Sequence, residues 1–518
     1  MPGADHRPVV LDPEWADAAW AGLALAGVTA DSRAVRPGFL FAALPGARAD
    51  GRAFIAEAVA RGAAAVLAPQ GTVWPAGVPP RPLIEDPEPR RRLARLAASL
   101  AGPQPAVIAA VTGTNGKTST VEFLRQIWTA GGHPAASLGT LGVHTSLPAN
   151  ALPREGEARP VGAALTTPDP VALAETLAGL ARAGIGHAAM EASSHGLAQF
   201  RLDGVRLAGA GFTNLTRDHL DYHGTEAAYR AAKLRLFDTL LPAGAPAVAN
   251  ADMDPATLEA LRAIARHRKL DLRTVGSGGT ALRLIAAHPR ADGQDLTVEA
   301  GGRRRAIPLP LPGGFQAENA LLAAVLAEAL GERDTLDLLP RLAGVRGRLE
   351  LAARLANGAA AYVDYAHTPD ALARALAALR PHTKGRLVVV FGAGGDRDRG
   401  KRPLMGAAAA AGADLAIVTD DNPRSEDPAA IRASVLAGCP GAIEIGPRAE
   451  AIAAGLTALG PGDLLVVAGK GHESGQIVGA TVLPFDDAAT IRALAGGGLA
   501  GDGLAGDGLA GGGLAGGG

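Results

Sequence analysis

Short apolar runs alternate along the chain with segments whose apolar positions recur at helical spacing, which is the pattern of an α/β protein. In residues 53–68 a helical stretch, a glycine turn and the run AAAVLA predict a helix followed by a buried strand. The breaker cluster GPQP at 102–105 then precedes AVIAAV, a run of buried-strand type. These features predict a small N-terminal α/β domain over residues 1–104 and a second domain that begins at residue 105.

A second boundary is predicted near Pro340. Residues 105–340 alternate strand and helix patterns, pass a β-like, Gly-rich stretch and then reach the helical pattern NALLAAVLAEAL. Four later apolar runs, AAYVDYA, RLVVVFGAGG, ADLAIVTDD and DLLVVAGKG, predict a Rossmann-like, doubly wound parallel sheet over residues 341–495. The tail, 496–518, repeats leucine at a five-residue spacing that fits neither helix nor strand, and we expect it to be disordered.

Composition excludes several classes of function. The 50 Lys and Arg residues balance 51 Asp and Glu residues, so the chain has no overall positive field for nucleic acid or an anionic membrane. A single cysteine, Cys439, excludes an internal disulfide and a multi-cysteine metal site. The start, MPGADHRPVV, has no signal-peptide pattern and no run is long enough to span a bilayer, so we expect a cytoplasmic protein with neither nucleic-acid nor membrane partners.

The strongest chemical signal is TGTNGKTST, which follows AVIAAV and opens a helical segment. Gly113, Gly116, Lys117 and Thr118 give G-x-x-G-K-T, a shortened form of the common phosphate-binding loop. Its backbone N–H groups and helix N-terminus suit phosphate oxygens, its lysine suits terminal phosphates, and its threonine hydroxyl suits Mg²⁺. The sequence therefore predicts phosphate binding, with a glycine-rich turn and a chance Lys-Thr as the alternative.

Two clusters of acids and histidines follow, MEASSH at 190–195 and NLTRDHLDYHG at 214–224. Glu191 is a candidate ligand of Mg²⁺, which prefers carboxylate oxygen. His219 and His223 are four residues apart, so a zinc hydrolase is an alternative, although the sequence H-L-D-Y-H is not H-E-x-x-H. A purely structural histidine pair is the third interpretation.

The last two candidates lie further along the chain. Lys233 lies in the helical run AYRAAKLRLF, where a lone lysine is normally solvated. In the C-terminal sheet the cationic segment 392–403, DDNPR at 420–424 and AGKGHE at 468–473 all follow strand-like runs. Arginine binds carboxylate and glutamate binds ammonium, so these strand ends suit a zwitterion, with a solvated charged loop as the alternative.

Taken together, the motifs resemble the Mur ligases, and most closely the branch that adds meso-diaminopimelate. The resemblance extends from DSR at 31–33 to about residue 494. It rests on TGTNGKT, TTPD at 166–169, MEASSHGLAQFR, NLTRDHLDYHG, DYAHTPD at 364–370, GDRDRGKRP, DNPR and GKGHE, which occur in the family's order. It implies three α/β domains that bind, in order, a uridine nucleotide, ATP and an amino acid.

The resemblance also implies roles for individual residues. The muramoyl-dipeptide nucleotide would be bound by Ser32, Arg33, Thr166, Thr167, Ser193, Gln199 and Arg201. ATP would be bound by Gly113, Thr114, Asn115, Gly116, Lys117, Thr118, Ser119, Asn319, Arg348 and Asp364. Thr118, Glu191, His219 and Lys233 would hold Mg²⁺, with Lys233 as a CO₂-derived carbamate, and Lys117, His219 and Lys233 would be catalytic.

The incoming amino acid would be bound by Arg397, Asp421, Asn422, Pro423, Arg424, Gly469 and Glu473. DNPR is the form associated with meso-diaminopimelate, and Arg424 suits its second carboxylate, which lysine lacks. The implied reaction joins meso-diaminopimelate to UDP-N-acetylmuramoyl-L-alanyl-D-glutamate through an acyl phosphate, in a monomer. The competing interpretations are a lysine-adding ligase, a folylpolyglutamate-type ligase and a nucleotide-binding scaffold without activity.

Overall fold

The computed structural model describes residues 24–46, 49–147 and 165–496, so the predicted disordered tail lies almost entirely outside the described residues. The chain separates into two compact units, Met1–Val345 and Arg346–Gly518. Within the described ranges no helix combines the length and the apolar character needed to cross a membrane.

The first unit opens with a parallel four-stranded sheet whose strands follow chain order. The strands are β1 (Gly27–Thr29), β2 (Phe39–Ala42), β3 (Ala65–Pro69) and β4 (Leu83–Asp86). Two helices, α1 (Ile55–Ala60) and α2 (Pro89–Ala101), accompany them. Leu93 and Leu96 of α2 are buried with Leu40 and Leu67 of the sheet, so the apolar face of the Arg-rich helix closes this small core.

The same unit contains a ten-stranded sheet, in the order β14-β13-β12-β11-β10-β9-β5-β8-β6-β7. Its strands are β5 (Val107–Thr112), β6 (Ala135–Gly139), β7 (Gly142–Thr145), β8 (His187–Glu191), β9 (Gly209–Phe212), β10 (Pro246–Asn250), β11 (Asp271–Gly276), β12 (Leu282–Arg290), β13 (Gly293–Ala300) and β14 (Arg303–Leu309). Strands β12 to β14 form an antiparallel meander, which is the β-like stretch that the sequence predicts, and β7 pairs antiparallel with β6.

Eight α-helices belong to this part of the described chain. They are α3 (Lys117–Ala130), α4 (Pro170–Arg182), α5 (Ser194–Ala198), α6 (Leu220–His223), α7 (Glu226–Arg235), α8 (Pro255–Arg268), α9 (Gly314–Ala329) and α10 (Thr335–Leu338). Helices α3 and α9 share one core, in which Phe123, Ile127 and Trp128 of α3 are buried with Leu321 and Leu322 of α9. This packing fixes the helix that follows the phosphate-loop sequence.

The second unit contains a six-stranded sheet, in the order β15-β16-β20-β17-β18-β19. Its strands are β15 (Glu350–Arg354), β16 (Ala360–Asp364), β17 (Leu387–Phe391), β18 (Leu415–Val418), β19 (Ile443–Glu444) and β20 (Leu464–Ala468), and a hairpin follows, β21 (Gly475–Val478) and β22 (Thr481–Pro484). Its helices are α11 (Pro369–Leu379), α12 (Lys401–Gly412), α13 (Pro428–Leu436), α14 (Arg448–Thr457) and α15 (Asp487–Gly496). All pairs from β16 to β19 are parallel, so the predicted parallel sheet is confirmed.

A buried carboxylate ties helix α3 to the edge of the ten-stranded sheet. Glu122 accepts hydrogen bonds from Ser137 of β6 and from Arg125 Nη2 at 2.9 Å, and it pairs with His144 Nδ1 of β7 at 3.0 Å. Burial alone would raise the pKa of Glu122, but the His144 bond, the charge of Arg125 and the Ser137 hydroxyl outweigh it and hold the pKa at about 2. The ionised carboxylate therefore stabilises the folded state.

Glu122→Gln should lower the unfolding temperature at pH 7 and have less effect in acid. The folded pKa of about 2 lies below the ordinary value of 4.5, so the stabilisation is complete above pH 4.5 and is lost as the pH falls towards 2. The shift corresponds to about 3 kcal/mol at neutral pH. Thermal unfolding between pH 7 and 3.5 measures the difference in unfolding temperature between wild type and variant, and this Glu122 gap should narrow below pH 4.5. The control is Glu259→Gln at an exposed ion pair, and a Glu122 gap that stays constant with pH would argue against this assignment.

Candidate functional site

The loop between β5 and α3 has its shape because two of its positions must be glycine. Gly113 and Gly116 have φ values of 148° and 83°, which L side chains rarely adopt. A Cβ on Gly113 would collide with the hydroxyl of Thr213, and one on Gly116 would collide with the side-chain amide of Asn319. The structure therefore places the predicted Asn319 directly against the loop, at the N-terminus of a fourteen-residue helix.

Thr213, which the sequence patterns did not single out, and Asn214, the first residue of the NLTRDHLDYHG segment, fix the shape of the loop. The Asn214 carbonyl accepts from Thr114 N at 2.8 Å, and its side-chain oxygen accepts from Asn115 N at 3.0 Å. Thr213 Oγ1 donates to the Asn115 carbonyl at 2.5 Å. These contacts come from the chain after β9, which lies beside β5 in the sheet, and they fix the loop without occupying the helix N-terminus.

Two lysines converge on a single carbonyl oxygen of this loop. Lys117 Nζ donates to the carbonyls of Gly113 at 3.0 Å and Thr114 at 2.9 Å, and Lys233 Nζ donates to the Gly113 carbonyl at 2.7 Å. Lys233 is only 1% exposed, so its interpretation as a solvated helical lysine is wrong. Burial, and then the charge of Lys117, lower the pKa of Lys233 to about 6.

Tyr229 lies one helical turn before Lys233 and connects it to the loop. Its ring lies 4.6 Å from Lys233 Nζ, and its hydroxyl is 3.1 Å from Thr114 Oγ1. Burial raises the pKa of Tyr229 to about 12, so the phenol stays protonated and can donate or accept a hydrogen bond. The i, i+4 spacing of these two residues on α7 thus presents both side chains to the loop.

Glu191, at the end of β8, is the acidic group of the site. It is 1% exposed, and its Oε1 accepts from Thr118 Oγ1 at 3.0 Å and from Thr140 N at 2.8 Å. Two predicted residues, Thr118 and Glu191, are therefore brought together as hard oxygen donors, and Ser119 is buried beside Thr118 on the first turn of α3. This donor set fits Mg²⁺, which takes carboxylate and hydroxyl oxygen.

His219, another of the four predicted metal ligands, belongs to a cluster of rings. It precedes α6 with a left-handed φ of 51°, and its ring centroid lies 4.9 Å from that of His195 and 6.1 Å from that of Tyr229. Tyr229 thus contacts the rings of this cluster as well as Lys233. Across the described ranges no three His, Cys, Asp or Glu side chains are arranged to hold a metal ion, so the geometry gives the zinc-hydrolase alternative no support.

A cleft of about 1290 Å³ separates the N-terminal sheet from helix α4, and Arg33, Gln199 and Arg201 line it. Arg201 donates to the Thr167 carbonyl at 2.6 Å and to Gln199 Oε1 at 2.7 Å. Ser193 Oγ donates to Thr167 Oγ1 at 3.0 Å, and Thr167 donates in turn to the Glu191 carbonyl.

Thr140, which binds Glu191, also donates to Thr166 Oγ1 at 3.3 Å. Hydrogen bonds therefore connect Glu191 with five residues predicted to bind the nucleotide substrate: Thr166, Thr167, Ser193, Gln199 and Arg201. Ser32, by contrast, is buried and donates to Glu57 at 2.8 Å. Its hydroxyl is therefore used within the N-terminal sheet domain, while Arg33 beside it is exposed.

In the second unit, Asp364 ends β16 and accepts from Leu349 N at 2.8 Å and Ala366 N at 2.9 Å. Burial raises the pKa of Asp364 although the nearby Arg348 opposes the shift. The Arg348 guanidinium lies 5.2 Å from the centre of the Tyr365 ring. The two predicted nucleotide-contacting residues of this unit are therefore neighbours.

The three polar strand ends of this sheet meet as predicted, because β17 lies between β18 and β20. Asn422 Nδ2 donates to Glu473 Oε2 at 2.9 Å, and a Cβ on Gly469 would collide with the carboxylate of Asp421. Burial alone would raise the pKa of Glu473, but Asn422 and Lys470 outweigh it and lower the pKa. Asn422, Asp421, Gly469 and Glu473 thus form one cluster.

Two arginines at these strand ends differ in how firmly they are held. Arg424 has a left-handed φ of 53°, and backbone bonds to Ile477 and Gly479 of the hairpin, at 3.0 and 2.7 Å, fix it there. Its Nη1 donates to the Gly395 carbonyl at 2.8 Å. Arg397 is exposed on the loop after β17, and Pro423 is buried next to Arg424.

Comparison with known proteins gives three matching family models. They are described as Mur ligase family, catalytic domain, over residues 24–99; Mur ligase middle domain, over 111–327; and Mur ligase, glutamate ligase domain, over 347–471. A UDP-N-acetylmuramoyl-L-alanyl-D-glutamate--2,6-diaminopimelate ligase from Caulobacter vibrioides is 55% identical over 95% of this chain and 98% of its own.

Solved structures agree with this result. One described as a UDP-N-acetylmuramoyl-L-alanyl-D-glutamate--2,6-diaminopimelate ligase is 34% identical, covers 94% of this chain and 99% of that chain, and has a TM-score of 0.70. A MurF ligase from Thermotoga maritima in complex with ADP, 20% identical with a TM-score of 0.56, covers 86% of this chain and 94% of its own and shares the fold.

Proposed function

Because this chain belongs to the Mur ligase family, we propose that it joins meso-diaminopimelate to UDP-N-acetylmuramoyl-L-alanyl-D-glutamate in peptidoglycan synthesis, with ATP converted to ADP and phosphate. The observation that carries the proposal is the 55% identity, over 95% of the chain, to a relative named for this substrate pair. A scaffold without activity would not need the paired lysines, the buried carboxylate and the loop threonine that this chain retains.

The reaction needs activation of a carboxylate, which is a poor electrophile. The γ-phosphoryl group of ATP passes to the glutamyl side-chain carboxylate, releasing ADP and leaving an acyl phosphate. The amine of diaminopimelate then attacks the acyl carbon, the C–O bond to phosphate breaks, and the amine loses its proton. The contribution of the chain is positioning and charge neutralisation, for which Lys117 at the loop is the main cation.

A magnesium ion would be held by Thr118, Glu191, His219 and carbamylated Lys233. It would supply positive charge that neutralises the phosphate oxygens. Thr118 and Glu191 already share a hydrogen bond, and Glu191 is fixed by Thr140, so these donors are oriented by the chain itself.

The carbamate on Lys233 is supported by where its amine lies. A second cation at the Gly113 carbonyl would repel both Lys117 and a metal ion, and the buried amine is largely neutral at pH 7 because its pKa is about 6. A neutral amine can attack the carbon of CO₂; the new N–C bond and loss of a proton leave an anion where lysine normally carries a positive charge. That anion suits a magnesium site and offsets the charge of Lys117.

The remaining sites follow from the clusters. We infer that Arg33, Thr166, Thr167, Ser193, Gln199 and Arg201, with Ser32 in support, bind the nucleotide substrate, and that Gly113 to Ser119 and Asn319 bind ATP. Arg348 and Asp364 of the second unit stay predicted ATP contacts from the resemblance. The amino acid is assigned to Arg397, Asp421, Asn422, Pro423, Arg424, Gly469 and Glu473. The monomeric state stays a prediction from the resemblance, and the cytoplasmic location stays a prediction from the sequence pattern.

The purified chain should release ADP only when the nucleotide dipeptide, ATP and meso-diaminopimelate are all present. Parallel reactions with lysine, with meso-diaminopimelate and without an amino acid, each analysed for ADP and for the mass of the nucleotide product, test the reaction. Faster ligation of lysine than of meso-diaminopimelate would overturn the assigned substrate, and no ligation of either would overturn the assigned reaction.

Lys233→Ala should abolish ligation, because it removes the anion expected near the metal ion. Formate or acetate should restore part of the activity of Lys233→Ala by entering the space, whereas Lys233→Met should resist rescue because its side chain fills that space. A ¹³C NMR carbamate signal from ¹³C-labelled bicarbonate should be present in wild type and absent in both variants. Full activity of Lys233→Ala without added carboxylate, under CO₂ depletion, would refute the carbamate; thermal unfolding checks that both variants fold.

Arg424→Ala should raise the KM for meso-diaminopimelate steeply and leave the KM for ATP nearly unchanged. A desolvated charge-assisted contact to the distal carboxylate contributes about 2 to 4 kcal/mol, which is roughly 30- to 1000-fold in discrimination. Lysine has no distal carboxylate, so its kcat/KM should fall much less. The control is Arg374→Ala on the exposed face of α11. Equal losses of kcat/KM for the two amino acids would show that Arg424 supports the Gly395 loop instead.

A further inference from the structure

Lys470 is a fully buried lysine just after β20, within the AGKGHE segment, and the proposed reaction gives it no role of its own. Its exposed fraction is 0%. It stands between Gly469 and Gly471, whose φ values are 117° and 54°. A Cβ on Gly469 would collide with Asp421, and one on Gly471 would lie 2.6 Å from Tyr365 Cβ. Both flanking positions therefore need glycine, and the lysine between them is fully buried.

The buried ammonium group reaches two residues of the amino-acid pocket. Lys470 Nζ donates to Asn422 Oδ1 at 3.0 Å and to Glu473 Oε2 at 3.0 Å. Asn422 Nδ2 donates to the same Glu473 Oε2 at 2.9 Å, which closes a triangle of three side chains. Because burying a lysine without partners is costly, these contacts determine where the three side chains can lie.

The triangle fixes which way the Asn422 amide faces. Its Oδ1 accepts from Lys470 Nζ and also from Ile477 N at 2.9 Å. A flipped amide would set its NH₂ group against these two donors and its oxygen against the Glu473 carboxylate. Lys470, the Ile477 N–H group and the Glu473 carboxylate therefore all favour the orientation in which the Asn422 NH₂ group meets Glu473, and Lys470 is the member of this set that also contacts Glu473.

The triangle also determines how Glu473 can meet a ligand. Lys470 and Asn422 both reach Oε2, so Oε1 is the oxygen left for a cationic group that enters the pocket. Glu473 is a third exposed at its side chain, whereas Lys470 is fully enclosed. A ligand can therefore reach Glu473 but cannot reach the lysine behind it.

We propose that Lys470 is a positioning residue for the amino-acid substrate, which holds Glu473 and Asn422 in the arrangement that binds the substrate's ammonium group. It acts through these two residues and does not touch the substrate. The inference rests on the proposed ligase function, because it assumes that this pocket binds a zwitterionic amino acid.

The test compares Lys470→Met, which keeps the length of the side chain without its donors, with Lys470→Gln, which keeps an N–H donor. Lys470→Met should raise the KM for meso-diaminopimelate about 10- to 100-fold. The KM for ATP and for the nucleotide dipeptide, and kcat at saturating meso-diaminopimelate, should change less than about threefold. Lys470→Gln should raise the KM for meso-diaminopimelate less than Lys470→Met does. The control is Lys384→Met at an exposed position.

A double-mutant cycle separates this role from a general loss of structure. If Lys470 acts through Glu473, Lys470→Met should add little to the KM effect of Glu473→Gln. Additive effects, or a loss of kcat with all three KM values unchanged, would overturn the inference. If Lys470→Met does not fold by circular dichroism, Lys470→Gln takes its place in the same cycle. Wild-type protein that ligates no meso-diaminopimelate would instead overturn the proposed function.

Discussion

The carbonyl oxygen of Gly113 is the point on which the catalytic site depends. Lys117, from the helix that starts at the loop, and Lys233, from a helix 120 positions away along the chain, both donate to it. Two ammonium groups this close would repel each other, and one of them is buried, so the fold favours the neutral form of Lys233. Under the proposed function, the same oxygen leaves Lys117 as the cation for phosphate and Lys233 as the reactive amine.

Each unit contains a buried lysine, Lys233 in the first and Lys470 in the second, and the two lysines have different kinds of partner. Lys233 meets a carbonyl and a tyrosine ring, neither of which carries a full negative charge. Lys470 meets the carboxylate of Glu473 and the amide of Asn422. The charge of Asp218 offsets only part of the lowering of the Lys233 pKa, so this amine is suited to acquire an anion by reaction. A lysine in an ion pair is instead suited to hold its partner still. In the proposed mechanism, one residue type therefore serves activation in the first unit and substrate positioning in the second.

Local sequence was sufficient for the elements that carry their own pattern. The strand before the phosphate loop, the helix after it and the four parallel strands of the second unit all follow from apolar runs bounded by glycine, and the polar strand ends lie together because parallel strands share one edge. Residue-by-residue roles at the nucleotide and metal sites came from the resemblance, since they join distant segments such as β8 and α3.

The sequence pattern misjudged the surroundings of Lys233 and gave no role to Lys470, and both failures have the same physical cause. Lys233 has a helical neighbourhood typical of a solvated lysine, and only the packing of α7 against the loop buries it. Lys470 was not predicted because its enclosure depends on Asp421 and Tyr365, which approach from other strands. For Lys470 a usable signal was present: a lysine between two glycines, directly after a fully apolar strand, has little chance of being solvated.

The central claim is that the fold makes Lys233 a neutral amine beside Lys117, and its titration measures this directly. In protein with isotope-labelled lysine, in CO₂-free buffer, NMR should give Lys233 a pKa of about 6, against the ordinary value of 10.5. The assignment comes from loss of the signal in Lys233→Met. In Lys117→Met the pKa of Lys233 should rise, because one of the two causes of its depression is removed. A Lys233 amine that titrates near 10.5 in the wild-type protein, or one that does not respond to loss of Lys117, would contradict the account.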